Sequence, residues 1–268
     1  MRLKDLDSRM RAREWFHSQT LLPGAWAIVR VDGRGFSRYT ERHFDKPFDR
    51  RFCDLMTATA QTLLTELSGR YAYTESDEIS VVLDPGFELF GREVEKLVSL
   101  TAGIASAAFT HAAGEPAVFD SRVWMGTGPD DVVDYLSWRQ ADAARCALNG
   151  WCYWTLRHEG CTARQADRRL AGAGVSAKNE LLYARGINFN ELPAWQRRGV
   201  GLWWETYEKT GHDPVRGIDV TAVRRRVRVD RDLPMKEEYR ALVRDLVTTP
   251  PADRGPAPAP DRDHPPQT

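Results

Sequence analysis

Two carboxylate segments carry residues of the right type and spacing to do chemistry together. Ile28-Val29-Arg30-Val31-Asp32-Gly33-Arg34-Gly35-Phe36 is an apolar strand pattern that runs straight into a carboxylate and a phosphate-sized, flexible loop. Between Tyr71 and Leu83, two short β-rich runs flank Glu75-Ser76-Asp77-Glu78. If the strands are neighbours, Asp32 and Asp77 meet at one edge of a sheet, as bridging two Mg2+ ions for nucleotidyl transfer requires. Taken singly the segments say less, because Asp-Gly is a common turn dipeptide and Ser76-Asp77-Glu78 suits a plain polar hairpin.

The elements around them favour that meeting. Phe52, Leu55, Met56, Ala60, Leu63, Leu64 and Leu67 recur at helical spacing, and Leu89, Val94, Leu97, Val98, Thr101, Ile104, Ala105 and Ala108 repeat the pattern. Pro116 to Trp124 reads as a further strand. Strand, helix, strand, strand, helix, strand is the ferredoxin-like order of an α+β fold. Its right-handed crossover sets the third strand antiparallel beside the first, so the end of one abuts the start of the other.

Composition bounds the rest. The chain has 268 residues, 42% hydrophobic and 28% charged, with 38 basic and 38 acidic side chains. That is enough to bury a substantial core, and the balanced charge gives no global sign of a polyanion partner. No apolar run reaches the ~20 residues of a membrane span, and the first residues lack a signal-like apolar region, so the expected compartment is the cytoplasm. Cys53, Cys146, Cys152 and Cys161 lack metal-binding spacing and read as buried thiols. Arginines gather at Arg164, Arg168 and Arg169, at Arg185, Arg197 and Arg198, and from Arg224 to Arg231. Each run fits a solvated face as well as a phosphate contact. From Asp130 the chain reads as a helical elaboration packed on the sheet, with its aromatics as core and Ser176 capping a helix over Lys178-Asn179-Glu180. Residues 1–248 are expected to form one catalytic domain and 249–268 a Pro-rich disordered tail.

In conjunction the motifs are more specific. Val31-Asp32-Gly33-Arg34-Gly35-Phe36, Asp45-Lys46-Pro47-Phe48-Asp49, Glu75-Ser76-Asp77-Glu78-Ile79-Ser80, Asp120-Ser121-Arg122, Asp134-Tyr135-Leu136-Ser137-Trp138-Arg139-Gln140-Ala141-Asp142 and Lys178-Asn179-Glu180 resemble, in order, the motifs of the tRNA(His) guanylyltransferase superfamily. The resemblance runs from Val29 to about Gly199. It implies a polymerase-palm antiparallel sheet with helices on one face and a helical C-terminal elaboration, homotetrameric, adding nucleotides to the 5′ end of tRNA in the 3′-to-5′ direction.

By position, Asp32 and Asp77 would bind two Mg2+ ions with the Gly33 carbonyl, and Glu78 would support the acidic edge as a further catalytic group. Asp32, Gly33, Arg34, Gly35, Phe36 and Ser37, with Ser76 and Asp77, would hold the triphosphate of GTP or ATP, and Lys46 and Lys96 would supply charge. Arg139, Lys178 and Asn179 would meet the RNA or a second nucleotide. In the family a 5′-monophosphate end is first activated with ATP. The chain departs where the eukaryotic type carries His-Ile-Asn-Asn-Leu-Tyr: here stands Ala144-Arg145-Cys146-Ala147-Leu148-Asn149. That resembles the bacterial guanylyltransferase-like branch and implies template-directed repair of tRNA 5′ ends. A dedicated tRNA(His) guanylyltransferase is the alternative. A palm-type nucleotidyl cyclase or a non-catalytic RNA-binding protein would share the carboxylates or the arginines, but neither accounts for the Trp138-Arg139-Gln140 and Lys178-Asn179-Glu180 segments.

Overall fold

The computed structural model describes residues 3–14, 19–213 and 217–249. The elements are α1 (Leu3–Arg11), β1 (Trp26–Gly33), α2 (Phe36–His43), α3 (Arg50–Glu66), β2 (Tyr71–Glu75), β3 (Glu78–Leu83), α4 (Val94–Ala113), β4 (Phe119–Gly126), α5 (Pro129–His158), α6 (Ala163–Leu170), α7 (Val175–Tyr183), α8 (Ala194–Arg198), β5 (Val200–Asp213), β6 (Ile218–Asp230) and α9 (Lys236–Thr248). The Pro-rich segment expected to be disordered lies outside the described residues from 250 onward.

One antiparallel sheet organises them, in the order β4-β1-β3-β2-β5-β6. Its first four strands have the ferredoxin-like order expected from the pattern. Because side chains alternate along a strand, β1 sends Ala27, Val29 and Val31 to one face and Trp26 and Ile28 to the other. Helices α3 and α4 cover the first face with Met56, Leu63, Leu64, Leu97 and Phe109. The elaboration covers the second: Val132, Val133 and Leu136 of α5 and Tyr239, Val243 and Val247 of α9 close over Tyr71, Tyr73 and Val82. A third cluster, built on Leu148, Cys152, Leu156, Leu170 and Leu182, ties α6 and α7 to the far half of α5.

Three expectations need correction. The elaboration is not purely helical, because β5 and β6 form a hairpin that adds two strands to the sheet. Only Val200–Trp203 pair with β2, and the distal part of the ribbon, Glu208 to His212 and Ile218 to Arg224, is exposed throughout and lacks the alternation that marks a half-buried strand. Ser176 does not cap α7: the cap is Gly174, and the helix starts one residue before the serine. The thiols are free but not uniformly buried, since Cys146 is exposed on α5.

Candidate active site

The β1–β3 register brings the two carboxylate segments together. Asp32 sits opposite Glu78, and the Gly33 amide donates to the Asp77 carbonyl at 3.1 Å. Asp77 belongs to the two-residue β2–β3 turn, in which Ser76 takes a left-handed φ of 48° and its hydroxyl lies 3.1 Å from Asp77 Oδ1. After β1 the chain turns through Gly35 at φ 76° into α2. A Cβ on Gly33 would lie 2.4 Å from the Phe36 ring, so only glycine lets this loop fold so tightly onto the core. The first turn of α2 then faces the loop with the unpaired N–H groups common to helix starts.

The electrostatics are those of carboxylates short of a cation. Burial, then the charge of Asp32, pushes Asp77 up to about 6. Burial and the charge of Asp120, its cross-strand neighbour, raise Asp32 against the pull of Arg122, Arg30 and Arg139. Burial and Glu78 push Glu75 up to about 8. Glu78 is held from beneath: Arg139 Nε and Nη2 each donate to one of its oxygens at 2.7 Å. The same guanidinium reaches Asp142 at 3.3 Å and Glu75 at 3.8 Å, and lies 4.6 Å from the Trp138 ring centroid.

Beside Asp77 opens a cavity of about 370 Å3, lined by the polar residues Ser37, Thr40, Lys46, Glu75 and Ser76 and by aromatic ones that include Phe44, Phe48, Phe52, Tyr153, Trp154 and Trp195. Lys46 bonds to the Thr40 hydroxyl and lies 5.7 Å from the Trp154 ring, and burial lowers its pKa. Polar side chains beside a carboxylate, together with aromatic rings that can receive a planar base, suit a nucleotide.

Among the described residues no cluster of three or more His, Cys, Asp or Glu side chains is disposed to hold a metal alone. Two carboxylates and a backbone carbonyl fit Mg2+, which binds through one or two carboxylates and leaves its other positions to phosphates and water.

Of the residues singled out in the sequence, Phe36, Ser37, Lys46, Ser76 and Asp77 line the cavity. Asp32, Gly33, Arg34 and Gly35 are not among its lining residues but lead directly into Phe36 and Ser37, with Arg34 exposed. Lys96 does not belong. The start of α4 is tied to the segment that leads into β1, with Val94 N donating to Gln19 O and Leu21 N to Arg92 O. The side of α4 near the acidic edge is marked by Ser106, which accepts from Phe119 N. Lys96 lies about 15 Å further along the axis, paired with Glu93. Arg139 is not available to RNA, because it is buried and committed to Glu78. Lys178 and Asn179 lie on α7 against α5: the Lys178 carbonyl accepts from Cys152, and Asn179 donates to Val175 O. Neither lines the cavity. Sequence reasoning missed Glu75 and the Tyr153-Trp154 pair, whose helical spacing reads as core. It also gave no role to Asp120 and Arg122, although their motif was recognised.

A split βαβ sheet with paired carboxylates at its edge and a nucleotide-sized cavity beside them defines a palm-type nucleotidyltransferase. Comparison with known proteins is concordant. The family model of tRNAHis guanylyltransferase matches residues 7–126, and the model of that family's C-terminal domain matches residues 130–246. The chain belongs to the tRNA(His) guanylyltransferase family and is a nucleotidyltransferase. A probable tRNA(His) guanylyltransferase of Mus musculus is 37% identical over 74% of this chain and 70% of its own length. The tRNA(His) guanylyltransferase of Neurospora crassa is 34% identical over 70% of this chain and 69% of its own. A bacterial guanylyltransferase-like protein solved in complex with ATP superposes with a TM-score of 0.70 at 27% identity, covering 91% of this chain and 99% of that one. The Saccharomyces cerevisiae enzyme gives 0.65 at 28% identity, over 71% and 90%.

Proposed function

We propose that this protein transfers guanylate to tRNA(His), the activity that the names of its relatives give for them, and does so at the 5′ end of the RNA, with residues 1–248 acting as one catalytic unit in the cytoplasm. The observation that carries the reading is the Gly33–Asp77 backbone bond, which fixes Asp32 next to Asp77, a residue of the cavity wall. Relatives solved with GTP and with ATP support triphosphates as the substrates. Asp32, Asp77 and the Gly33 carbonyl would hold two Mg2+ ions, which when bound neutralise the triphosphate and acidify the attacking 3′-hydroxyl. Lys46 places a point charge on the phosphates, Ser37 and the first turn of α2 offer hydrogen bonds, and the aromatic side chains of the cavity receive the base. Glu78, clamped by Arg139, keeps the edge acidic and in place.

One observation favours a second reading, template-directed repair of several tRNAs. The α5 segment Ala144 to Asn149 lacks the histidine and asparagine pair of the eukaryotic pattern, and a site without those groups discriminates poorly. Nucleotide addition to end-labelled tRNAs lacking their first 5′ nucleotide separates the two. Guanylate added to tRNA(His) alone, whatever the opposing base, is the expected result. Addition of whichever nucleotide pairs, to tRNAs of many kinds, would establish repair instead, and addition to none would overturn both.

A further inference from the structure

Trp138 is 54% exposed, an unusual position for an indole beside a charged catalytic edge. It sits on α5 with its ring centroid 4.6 Å from the Arg139 guanidinium carbon and 5.9 Å from that of Arg30. Tyr135 braces it edge-on at 5.6 Å and is itself backed by Trp124 at 5.1 Å. The strand register places Arg30 opposite Arg122, on the same face as Asp32, and the Arg122 side chain is 55% exposed. The buried Nε of Arg30 finds no hydrogen-bond partner among the described residues. Asp77 lines the nucleotide cavity, whereas Asp32 feels the charges of Arg122, Arg30 and Arg139. The carboxylate pair therefore separates two subsites, one a cavity and the other an aromatic surface rimmed by the exposed Arg122, which also reaches Asp120 at 3.2 Å, and by the largely buried Arg30, 3.8 Å from Glu78.

We infer that the Trp138 surface is the platform for the RNA end: the terminal base stacks on the indole while the exposed Arg122 faces the adjacent phosphate. This inference rests on the reading of the protein as an enzyme acting on tRNA. An exposed, braced tryptophan with an exposed arginine on the same sheet face offers a stacking surface for a base and a donor for its phosphate, and stacking tolerates any base. Mounting the RNA on the α5 side brings its 5′ phosphorus to Asp32 from the side away from the nucleotide, so the two reactants meet at the carboxylates.

The test uses the full chain with an RNA hairpin copying an acceptor stem, carrying 2-aminopurine at its 5′-terminal position. Binding to the wild type should quench the fluorophore, Trp138→Phe should preserve the quenching, and Trp138→Ala should abolish it. In nucleotide addition, Trp138→Ala should raise the RNA KM about tenfold, with kcat and the GTP KM within about twofold of wild type. Arg122→Gln should weaken RNA binding and lower its salt dependence by about one counterion. Unchanged quenching and RNA KM in Trp138→Ala would overturn the platform and leave the surface to a protein partner. Equal damage in Trp138→Phe and Trp138→Ala, with the GTP KM raised too, would also overturn it by making Trp138 only a brace for Arg139. The binding arm needs no turnover. Quenching by a wild type that adds nothing to any tRNA would sink the enzymatic reading alone, and active Trp138→Ala with a normal RNA KM would sink the platform alone.

Discussion

At the scale of single residues, the site is a set of charges made costly by burial and offset by few partners. Asp77 is pushed up to about 6, so below that pH a proton competes with any cation for its carboxylate. The apparent Mg2+ affinity for nucleotide addition should rise about tenfold per pH unit below pH 6 and level off above it. Asp77→Ala and Asp32→Ala should each abolish addition while melting like the wild type. A Mg2+ requirement flat between pH 5 and 7 would remove Asp77 from the metal site. The two lysines offer a contrast. Lys46 is half-buried in the cavity wall and Lys96 is exposed and paired with Glu93. Lys46→Ala should raise the GTP KM about tenfold or more, as loss of a charged hydrogen bond does, with RNA binding retained. Lys96→Ala should change it less than about twofold. Equal effects of the two would refute the placement of α4.

At the scale of elements, period and turn chemistry carried most of the architecture. The apolar, β-rich runs ending at Asp32-Gly33 and on either side of Ser76-Asp77 and the helical spacing from Phe52 onward made β1, β3 and α3 legible, and crossover handedness then made Asp32 and Asp77 neighbours. Three things were not legible, each because tertiary context decided it. The direction of α4 relative to β1 put Lys96 at the wrong end, and the ribbon of β5 and β6 has no buried face over much of its length. The Arg139–Glu78 pair joins residues far apart in the chain. The start of α3 provides a test that belongs to this scale. Asp49 caps the helix by accepting from Arg51 N at 2.8 Å and also accepts from Asp45 N at 2.9 Å. The hydrogen bond from the Arg51 side chain leads the causes that hold its carboxyl at about 2, below the ordinary 3.8. A lowered carboxyl contributes stability that is complete above about pH 4 and is lost as pH falls through 2. Asp49→Ala should therefore destabilise the protein by about 1 kcal/mol at neutral pH, with the gap closing toward pH 2 in denaturant melts. A gap constant from pH 7 to 2 would mean that the charged cap contributes nothing.

At the scale of the whole molecule, the sheet divides the work between its faces. The cavity opens where α2 and α3 meet the sheet edge, while α9 closes the opposite face with residues distant in sequence. The Tyr239 hydroxyl lies 3.2 Å from that of Tyr71, its ring is 6.2 Å from that of Tyr73, and all three side chains are fully buried. Arg70, at the head of β2, reaches the carbonyls of Leu246 and Thr249 and so fastens the far end of the same helix. Removing the Tyr239 ring leaves a large void under α9, and Tyr239→Ala should cost about 3–5 kcal/mol. Tyr71→Phe, which deletes one hydroxyl from the pair, should cost about 1 kcal/mol. Because α9 touches the sheet on the face away from the nucleotide, Tyr239→Ala assayed well below its melting temperature should keep a GTP KM within about twofold of wild type. Melts and steady-state kinetics on the same preparation check both halves. A raised GTP KM in protein that is still fully folded would show that the two faces are coupled through the β2–β3 turn, whose Asp77 lines the cavity and whose strands carry Tyr71 and Tyr73.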